Sequence, residues 1–170
     1  MLLIREEKLC DISEIRKVNE RAFNGPIEAH LVDLLREANK ATISLVATFN
    51  DKLVGHILFS PITIESSSKN VRGLGLAPIA VLPEYQRRGI GSRLVTQGLE
   101  ESRSKGYDLV VVLGHKTYFP RFGFKRASLY GLSNEYSADE SFMVLELRKG
   151  VLSAIRGLVK YQLEFREAGC

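Results

Sequence analysis

A short segment combines two arginines, two glycines and a serine in a pattern that suits an anion. The segment Gln86-Arg87-Arg88-Gly89-Ile90-Gly91-Ser92 follows an apolar stretch that ends at Pro83, and it opens a stretch with helical periodicity. The first turn of a helix offers unpaired N–H groups and the positive end of the helix dipole. Glycine lets a phosphate approach the backbone, while arginine and serine side chains add donors. These residues predict a binding site for a diphosphate.

Two other glycine-rich phosphate loops do not fit this segment. A Walker loop requires G-x-x-x-x-G-K-[ST], which is absent from the sequence. The dinucleotide fingerprint requires a third glycine at the position that Leu94 occupies. The sequence therefore argues against both kinds of nucleotide-binding fold.

The strand predicted over residues 71–82 contains Pro78. Because proline cannot donate a hydrogen bond to a neighbouring strand, this strand should separate from its partner near Pro78. Backbone groups of Ile79, Ala80 and Val81 would then be free to bond an extended ligand. The two amides of a pantetheine arm match such a strand edge.

Hydrophobic periodicity predicts the element order β-α-α-β-β-β-α-β-α-β, a mixed α/β or α+β sheet with helices on its faces. Asp11 is expected to cap the first helix, Asn50-Asp51-Lys52 to join two strands as a hairpin, and residues 66–70 to form a turn. The predicted strands are 2–5, 44–49, 53–64, 71–82, 109–113 and 142–147, with a weaker one at 157–161. The predicted helices are 11–23, 26–39 and 89–104, and a short, partly helical stretch leads to Phe122-Gly123-Phe124.

Three motifs give the sequence a close resemblance to the GNAT superfamily of acyl-CoA-dependent N-acyltransferases. Gln86, Gly89 and Gly91 match the family's cofactor motif [Q/R]-x-x-G-x-[G/A], and Ile79-Ala80-Val81-Leu82-Pro83 resembles the strand end before it. Downstream, Tyr118-Phe119-Pro120-Arg121-Phe122-Gly123-Phe124 resembles its Y-x-x-x-G-F element. The resemblance covers about residues 2–149, and residues 150–170 match less securely.

The resemblance implies a single domain over residues 1–170 with a mixed, mostly antiparallel central sheet. Helices would cover both faces, and the sheet would splay between the strands at 71–82 and 109–113 to admit acetyl-CoA. The implied reaction is direct transfer of the acetyl group to a primary amine of a small molecule, protein or peptide. The residues implied to hold pantetheine are Ile79, Ala80 and Val81, and those implied to hold the pyrophosphate are Arg87, Arg88, Gly89, Ile90, Gly91 and Ser92.

The general acid is where the sequence departs from the family. The family's tyrosine stands four residues before the glycine of the G-F pair, and that position here is Phe119, with Tyr118 beside it. Adjacent helical residues point about 100° apart, so Tyr118 need not reach the thiol that residue 119 would face. Tyr118 is a candidate acid, with a packed aromatic as the alternative. Because a thiol has a pKa of about 8.5, water could protonate the leaving thiolate instead.

His115, after the strand at 109–113, is the candidate base that would accept a proton from the incoming amine. The alternative is a histidine bonded to local backbone at the strand end. His56, in an apolar strand, and His30, on the second helix, are weaker candidates. Glu84 and Glu65 are expected to be surface carboxylates. No base is required if the acceptor is an α-amine, whose pKa is about 7.7–8.

Composition excludes several other classes of protein. Of the 170 residues, 45% are apolar, which is enough for a core, but no apolar run approaches the roughly 20 residues of a membrane helix. Two cysteines, Cys10 and Cys170, form neither a disulfide framework nor a zinc pattern. The 24 basic residues exceed the 20 acidic ones but are dispersed among them, unlike those of a nucleic-acid-binding protein.

The sequence thus predicts a cytoplasmic enzyme that binds neither metal, membrane nor nucleic acid, and a homodimer is compatible with it. The competing interpretation is a CoA- or acyl-CoA-binding sensor or interaction module with little catalysis, which Phe119 favours. A nucleic-acid-associated protein is a third interpretation, against which the dispersed charge argues.

Overall fold

The computed structural model describes residues 1–65 and 70–170, so the predicted turn at 66–70 lies outside the described residues except for Asn70. Within these ranges the chain forms nine strands and four helices. The strands are β1 (Leu2–Glu6), β2 (Ile43–Phe49), β3 (Lys52–Glu65), β4 (Gly73–Val81), β5 (Leu109–Leu113), β6 (Lys125–Arg126), β7 (Leu132–Asn134), β8 (Phe142–Glu146) and β9 (Gly157–Lys160); the helices are α1 (Ile12–Phe23), α2 (Ile27–Glu37), α3 (Ile90–Ser104) and α4 (Leu163–Ala168).

Hydrogen bonding orders the strands β1-β2-β3-β4-β5-β8-β6, with β9 paired to β3 and β7. The pairs β1/β2, β2/β3, β3/β9, β5/β8 and β6/β8 are antiparallel, whereas β4/β5 and β7/β9 are parallel. The predicted mixed and mostly antiparallel sheet is confirmed.

The chain divides into two compact units. The first contains residues 1–60, 77–98 and 163–170, and the second contains residues 61–76 and 99–162. Strands β3 and β4 and helix α3 contribute to both units. The prediction of a single domain over the whole chain stays a prediction.

Helices pack on both faces of β3 in the first unit. An ideal Cβ on Gly98 of α3 would lie 2.3 Å from Phe59 Cε1, and one on Gly55 would lie 3.1 Å from Leu94 Cδ1, so odd-numbered residues of β3 face α3. Because side chains alternate along a strand, His56 points to the opposite face, where its ring contacts Asn19 of α1. The expectation of helices on both faces is confirmed here.

The β2–β3 connection forms the predicted hairpin. Asn50 and Asp51 both have positive φ, 47° and 69°, as the two central residues of a type I′ turn require. Two-residue turns of this kind match the twist of the strands that they join.

The start of α1 differs in detail from the prediction. Asp11 occupies the N-cap position but makes no side-chain capping bond to the helix. Its carboxylate instead accepts hydrogen bonds from the Lys8 N–H and from Arg5 Nη1, each at 2.7 Å, because Leu9–Asp11 forms a separate 3-10 turn beside β1. Pro26 likewise stands at the N-cap of α2 rather than inside its first turn.

Helix α4 and the short strands β6 and β7 were not predicted from the sequence. Helix α4 packs against α2 within the first unit, and Lys40 forms an ion pair with the buried Glu164 carboxylate. The weak strand predicted at 157–161 is confirmed as β9.

Candidate active site

The ladder between β4 and β5 ends just before the predicted break. Register pairs run from Gly73 opposite Leu109 to Leu76 opposite Val112, whereas β4 continues to Val81. The peptide bond between Ala77 and Pro78, directly beyond the last pair, is cis. The predicted separation of this strand from its partner near Pro78 is therefore confirmed: β4 and β5 are no longer paired beyond Leu76.

The end of β4 directs alternate backbone groups away from β3. The Leu82 N–H donates to the Val54 carbonyl at 2.9 Å, so even-numbered residues of this segment face β3. The Ala80 carbonyl oxygen accordingly lies 3.3 Å from an ideal Cβ on Gly55. Because backbone groups alternate in direction along a strand, those of Ile79 and Val81 point to the edge away from β3.

Gln86 ties the end of β4 to the glycine turn, since its Nε2 donates to the Val81 carbonyl at 3.0 Å. Beyond it, Arg87 and Gly89 adopt left-handed conformations with φ of 63° and 81°. Turns that contain left-handed residues can aim successive N–H groups at one anion. An ideal Cβ on Gly89 meets no atom within 4 Å, so the space beside this residue is open. Ile90 is buried and begins α3.

The 3-10 turn Pro83–Tyr85, which precedes the glycine turn, is held from two sides. Arg21, in the last turn of α1, donates two hydrogen bonds of 2.9 Å to the Glu84 carboxylate. The Tyr85 ring lies 5.8 Å from the Phe49 ring, and the Arg88 guanidinium lies 5.1 Å from the Tyr85 ring centroid.

Glu84 is poorly suited to act as a base. The hydrogen bonds from Arg21 hold the pKa of the Glu84 carboxyl below its usual value. Its carboxylate is therefore a weaker proton acceptor than an unpaired one. The other carboxylate considered from the sequence, Glu65, forms an ion pair with Lys160 at 2.8 Å.

In the second unit, His115 and Tyr118 belong to one turn after β5. The Tyr118 N–H donates to the His115 carbonyl at 3.1 Å, and the His115 side chain is exposed. The Tyr118 ring is half-buried and packs edge-on against Phe119 and Phe122, with ring centroids 5.1 and 5.3 Å apart. The Arg121 guanidinium lies 4.6 Å from the Tyr118 centroid.

Phe119 fills an apolar site where the family places its tyrosine. Its side chain is 4% exposed, and its ring lies 5.7 Å from that of Phe124. An ideal Cβ on Gly114 would lie 2.3 Å from Phe119 Cε2, so the ring packs directly on the glycine that follows β5. Position 119 therefore carries no group that can donate a proton.

His56 belongs to a buried polar network that the sequence did not reveal. Its Nδ1 lies 3.2 Å from Asn19 Nδ2 and its Nε2 lies 2.9 Å from Ser44 Oγ, which in turn donates to Glu7 Oε1. Because the Asn19 amide donates to Nδ1, the ring proton sits on Nε2 and the imidazole is neutral. Burial lowers the pKa of His56 to about 4. The remaining histidine, His30, is exposed on α2.

Three further properties concern the described residues. Among them, no group of three or more histidine, cysteine or acidic side chains is arranged to hold a metal ion. None of their helices is both long enough and apolar enough to cross a membrane. Cys10 and Cys170 are both free thiols at exposed positions.

Comparison with known proteins gives concordant matches in sequence. A family model described as an acetyltransferase (GNAT) domain matches residues 4–127. The chain is 35% identical over 166 residues to the protein named "Uncharacterized N-acetyltransferase YhbS" of Escherichia coli (strain K12), covering 96% of this chain and 98% of the relative. It is 46% identical over 117 residues to "Uncharacterized N-acetyltransferase YjhQ" of the same organism, which covers 68% of this chain and 65% of the length of YjhQ.

Solved structures give the same result for the fold. The crystal structure of Escherichia coli YhbS in complex with CoA superposes with a TM-score of 0.91 at 35% identity, over 97% of this chain and 92% of that one. A GNAT family acetyltransferase from Brucella melitensis in complex with acetyl-CoA gives a TM-score of 0.80 at 36% identity, over 97% and 98% of the two chains. The chain therefore belongs to the GNAT acetyltransferase family.

Proposed function

We propose that the protein transfers an acetyl group from acetyl-CoA directly to a primary amine of a small molecule, protein or peptide. The observation that carries this proposal is the assembly at the end of β4. There, the backbone groups of Ile79 and Val81 point away from β3. A hydrogen bond from the Gln86 side chain to the Val81 carbonyl links this strand end to the turn in which Arg87 and Gly89 are left-handed. The binding of CoA and acetyl-CoA by YhbS and by the Brucella melitensis protein supports the same cofactor for this chain.

The alternation of backbone groups refines the proposed binding residues. Ile79 offers its N–H and carbonyl groups at the edge away from β3, so it is the proposed partner of the pantetheine amides. Val81 offers its N–H to the same ligand, while its carbonyl accepts a hydrogen bond from Gln86 Nε2. Ala80 faces β3 and would position its two neighbours. The pyrophosphate would bind the N–H groups of the glycine turn and the side chains at its rim. The proposed residues for this role are Arg87, Arg88, Gly89, Ile90, Gly91 and Ser92.

In the proposed reaction, the neutral amine attacks the thioester carbonyl. A C–N bond forms, the carbonyl oxygen gains negative charge, and the Val81 N–H is the candidate donor that stabilises it. The C–S bond then breaks, the nitrogen loses a proton and the leaving thiolate gains one. His115 is the proposed acceptor of the first proton, directly or through water, and Tyr118 is the proposed donor of the second.

Phe119 favours a second candidate function. A chain without the family's tyrosine could bind CoA as a sensor and catalyse transfer poorly. General acid catalysis typically contributes roughly 10²–10⁴-fold in rate. A thiol has a pKa of about 8.5, so its thiolate is a good leaving group in water even without an acid. An enzyme of this kind can therefore stay active even where Tyr118 does not reach the thiolate.

Release of free thiol from acetyl-CoA separates the two functions. The purified protein would be incubated with acetyl-CoA and a panel of amines, amino acids and peptides, and thiol would be followed with a chromogenic disulfide. An enzyme releases thiol with at least one amine above the rate of background hydrolysis, whereas a sensor binds CoA and releases none. Release that is equal with and without every amine would contradict the proposed enzyme.

The identity of the acceptor, the homodimer and the cytoplasmic location stay predictions. A panel hit would name the acceptor class directly. Sedimentation of the full chain would report its oligomeric state.

A further inference from the structure

The second unit contains a cavity of about 440 Å³ that the proposed reaction does not use. Binding sites for small molecules commonly have volumes of about 300–1,000 Å³. The cavity opens beside the edge of β8, where the short strand β6 leaves it. It is lined by Gly123, Lys125, Tyr130, Val144, Leu145, Glu146, Gly150, Leu152 and Ser153.

This cavity is separate from the turn that carries His115 and Tyr118. In the antiparallel β5/β8 pair, Glu146 lies opposite Leu109, whereas Phe142 lies opposite Leu113, the residue that leads into the turn. A strand rises about 3.3 Å per residue, so the two ends of the pair are about 13 Å apart. The cavity lies at the Glu146 end.

Two opposite charges face this cavity without pairing. Lys125 stands opposite Val144 in the β6/β8 pair, and Glu146 follows two residues later on the same face of β8. Such diagonal neighbours have Cβ atoms about 7–8 Å apart. Among the described residues, no ion pair joins Lys125 to Glu146 or to any other carboxylate, and Tyr130 has no hydrogen-bond partner for its hydroxyl.

The Glu146 carboxylate is held in place on one side. Its Oε1 accepts a hydrogen bond of 3.1 Å from the Leu152 N–H. Its other oxygen is available to a cation, while the buried side chains of Val144 and Leu152 supply an apolar wall. A simple anion would be repelled by Glu146 and a simple cation by Lys125, so the site best fits a molecule with both charges.

We propose that this cavity binds a small zwitterion of the amino-acid type. Its carboxylate would bind the Lys125 ammonium and the Tyr130 hydroxyl, and its ammonium would bind the Glu146 carboxylate. The apolar wall would contact its side chain. This proposal does not depend on the acetyl transfer proposed above.

Isothermal titration calorimetry of the full chain with free L-amino acids tests the proposal. At least one amino acid is expected to bind with a Kd of about 1 mM or tighter. The amide of that amino acid lacks the carboxylate and its N-acetyl derivative lacks the ammonium, so each should bind at least roughly tenfold more weakly. No binding by any L-amino acid, or binding of either derivative as tight as that of the parent amino acid, would overturn the proposal.

Substitutions in the lining of the cavity test whether the amino acid binds there. Lys125→Met keeps the aliphatic stem, and Glu146→Gln keeps the oxygen that accepts the Leu152 N–H, so both should fold and each should weaken binding roughly tenfold. Lys149→Met, which changes an exposed lysine outside the lining, is the matched control and should bind as the parent does. An affinity unchanged by Lys125→Met would place the amino acid elsewhere, for example at the acceptor site, and would refute this site.

Discussion

The buried imidazole of His56 makes the stability of the fold depend on pH. The ring is fully buried and neutral, and burial lowers the pKa of His56 to about 4. In the unfolded chain the same ring has a pKa of about 6.5. Between these two values the unfolded state binds a proton that the folded state does not, so the free energy of unfolding falls as the pH is lowered.

The expected loss follows from the two pKa values. Each pH unit below the unfolded pKa costs about 1.4 kcal/mol while the folded ring stays neutral, so a chain taken from pH 8 to pH 5 loses about 2 kcal/mol through His56. The pKa of Asp108 also lies below its usual value, because hydrogen bonds from Arg148 and Arg72 outweigh the effect of burial. Carboxylates of this kind lose their contribution only below about pH 4, outside this range.

Urea denaturation at constant ionic strength between pH 8 and pH 5 measures this loss. His30→Gln, which changes an exposed histidine on α2, is the matched control and should retain it. In parallel, NMR titration of the His56 ring in the folded protein should show no protonation above pH 5. A free energy of unfolding that stays within about 0.5 kcal/mol over this range would refute the assignment of a neutral buried imidazole.

Three further changes have defined outcomes. Tyr118→Phe should flatten the alkaline limb of the pH–rate profile if Tyr118 donates the proton to the thiolate, and an unaltered limb would remove it from that role. His115→Gln should abolish the acidic limb, and a profile that keeps this limb would show that His115 is not the base. Gly98→Ala should lower the free energy of unfolding by about 1–3 kcal/mol, because the added Cβ would lie 2.3 Å from the Phe59 ring. Gly25→Ala, at a position with no atom within 4 Å, should change it by less than about 0.5 kcal/mol, and equal effects of the two substitutions would contradict the packing described.

The sequence predicted the end of β4 and the glycine turn because their signals are local. Pro78 marks the loss of pairing within its own strand, Gly89 directly precedes α3, and Gly91 lies in its first turn. Which backbone groups of β4 face β3 and which face away could not be predicted from the sequence. The backbone of Ala80 faces β3 while that of Val81 does not, and this depends on the register with β3, which periodicity alone does not fix.

The buried network could not be predicted because its members are far apart in the chain. His56 meets Asn19 of α1 and Ser44 of β2 only after the sheet and helix have packed. The prediction that the Asp11 side chain caps α1 was wrong for the same reason. N-cap patterns are read from neighbouring residues, whereas the Asp11 carboxylate binds Arg5 of β1. Helix α4 is short, and its place depends on its packing against α2.

Calorimetric titration of the protein with CoA tests most directly whether the turn after β4 holds the cofactor. Arg88→Ala removes a forked cationic donor, and Gly89→Val places a β-branched side chain where φ is 81° and the space is open for a ligand. Both should weaken CoA binding at least roughly tenfold, while Arg103→Ala, at an exposed position near the far end of α3, should bind as the parent does. CoA affinity that is the same in all four folded proteins would contradict the proposed site.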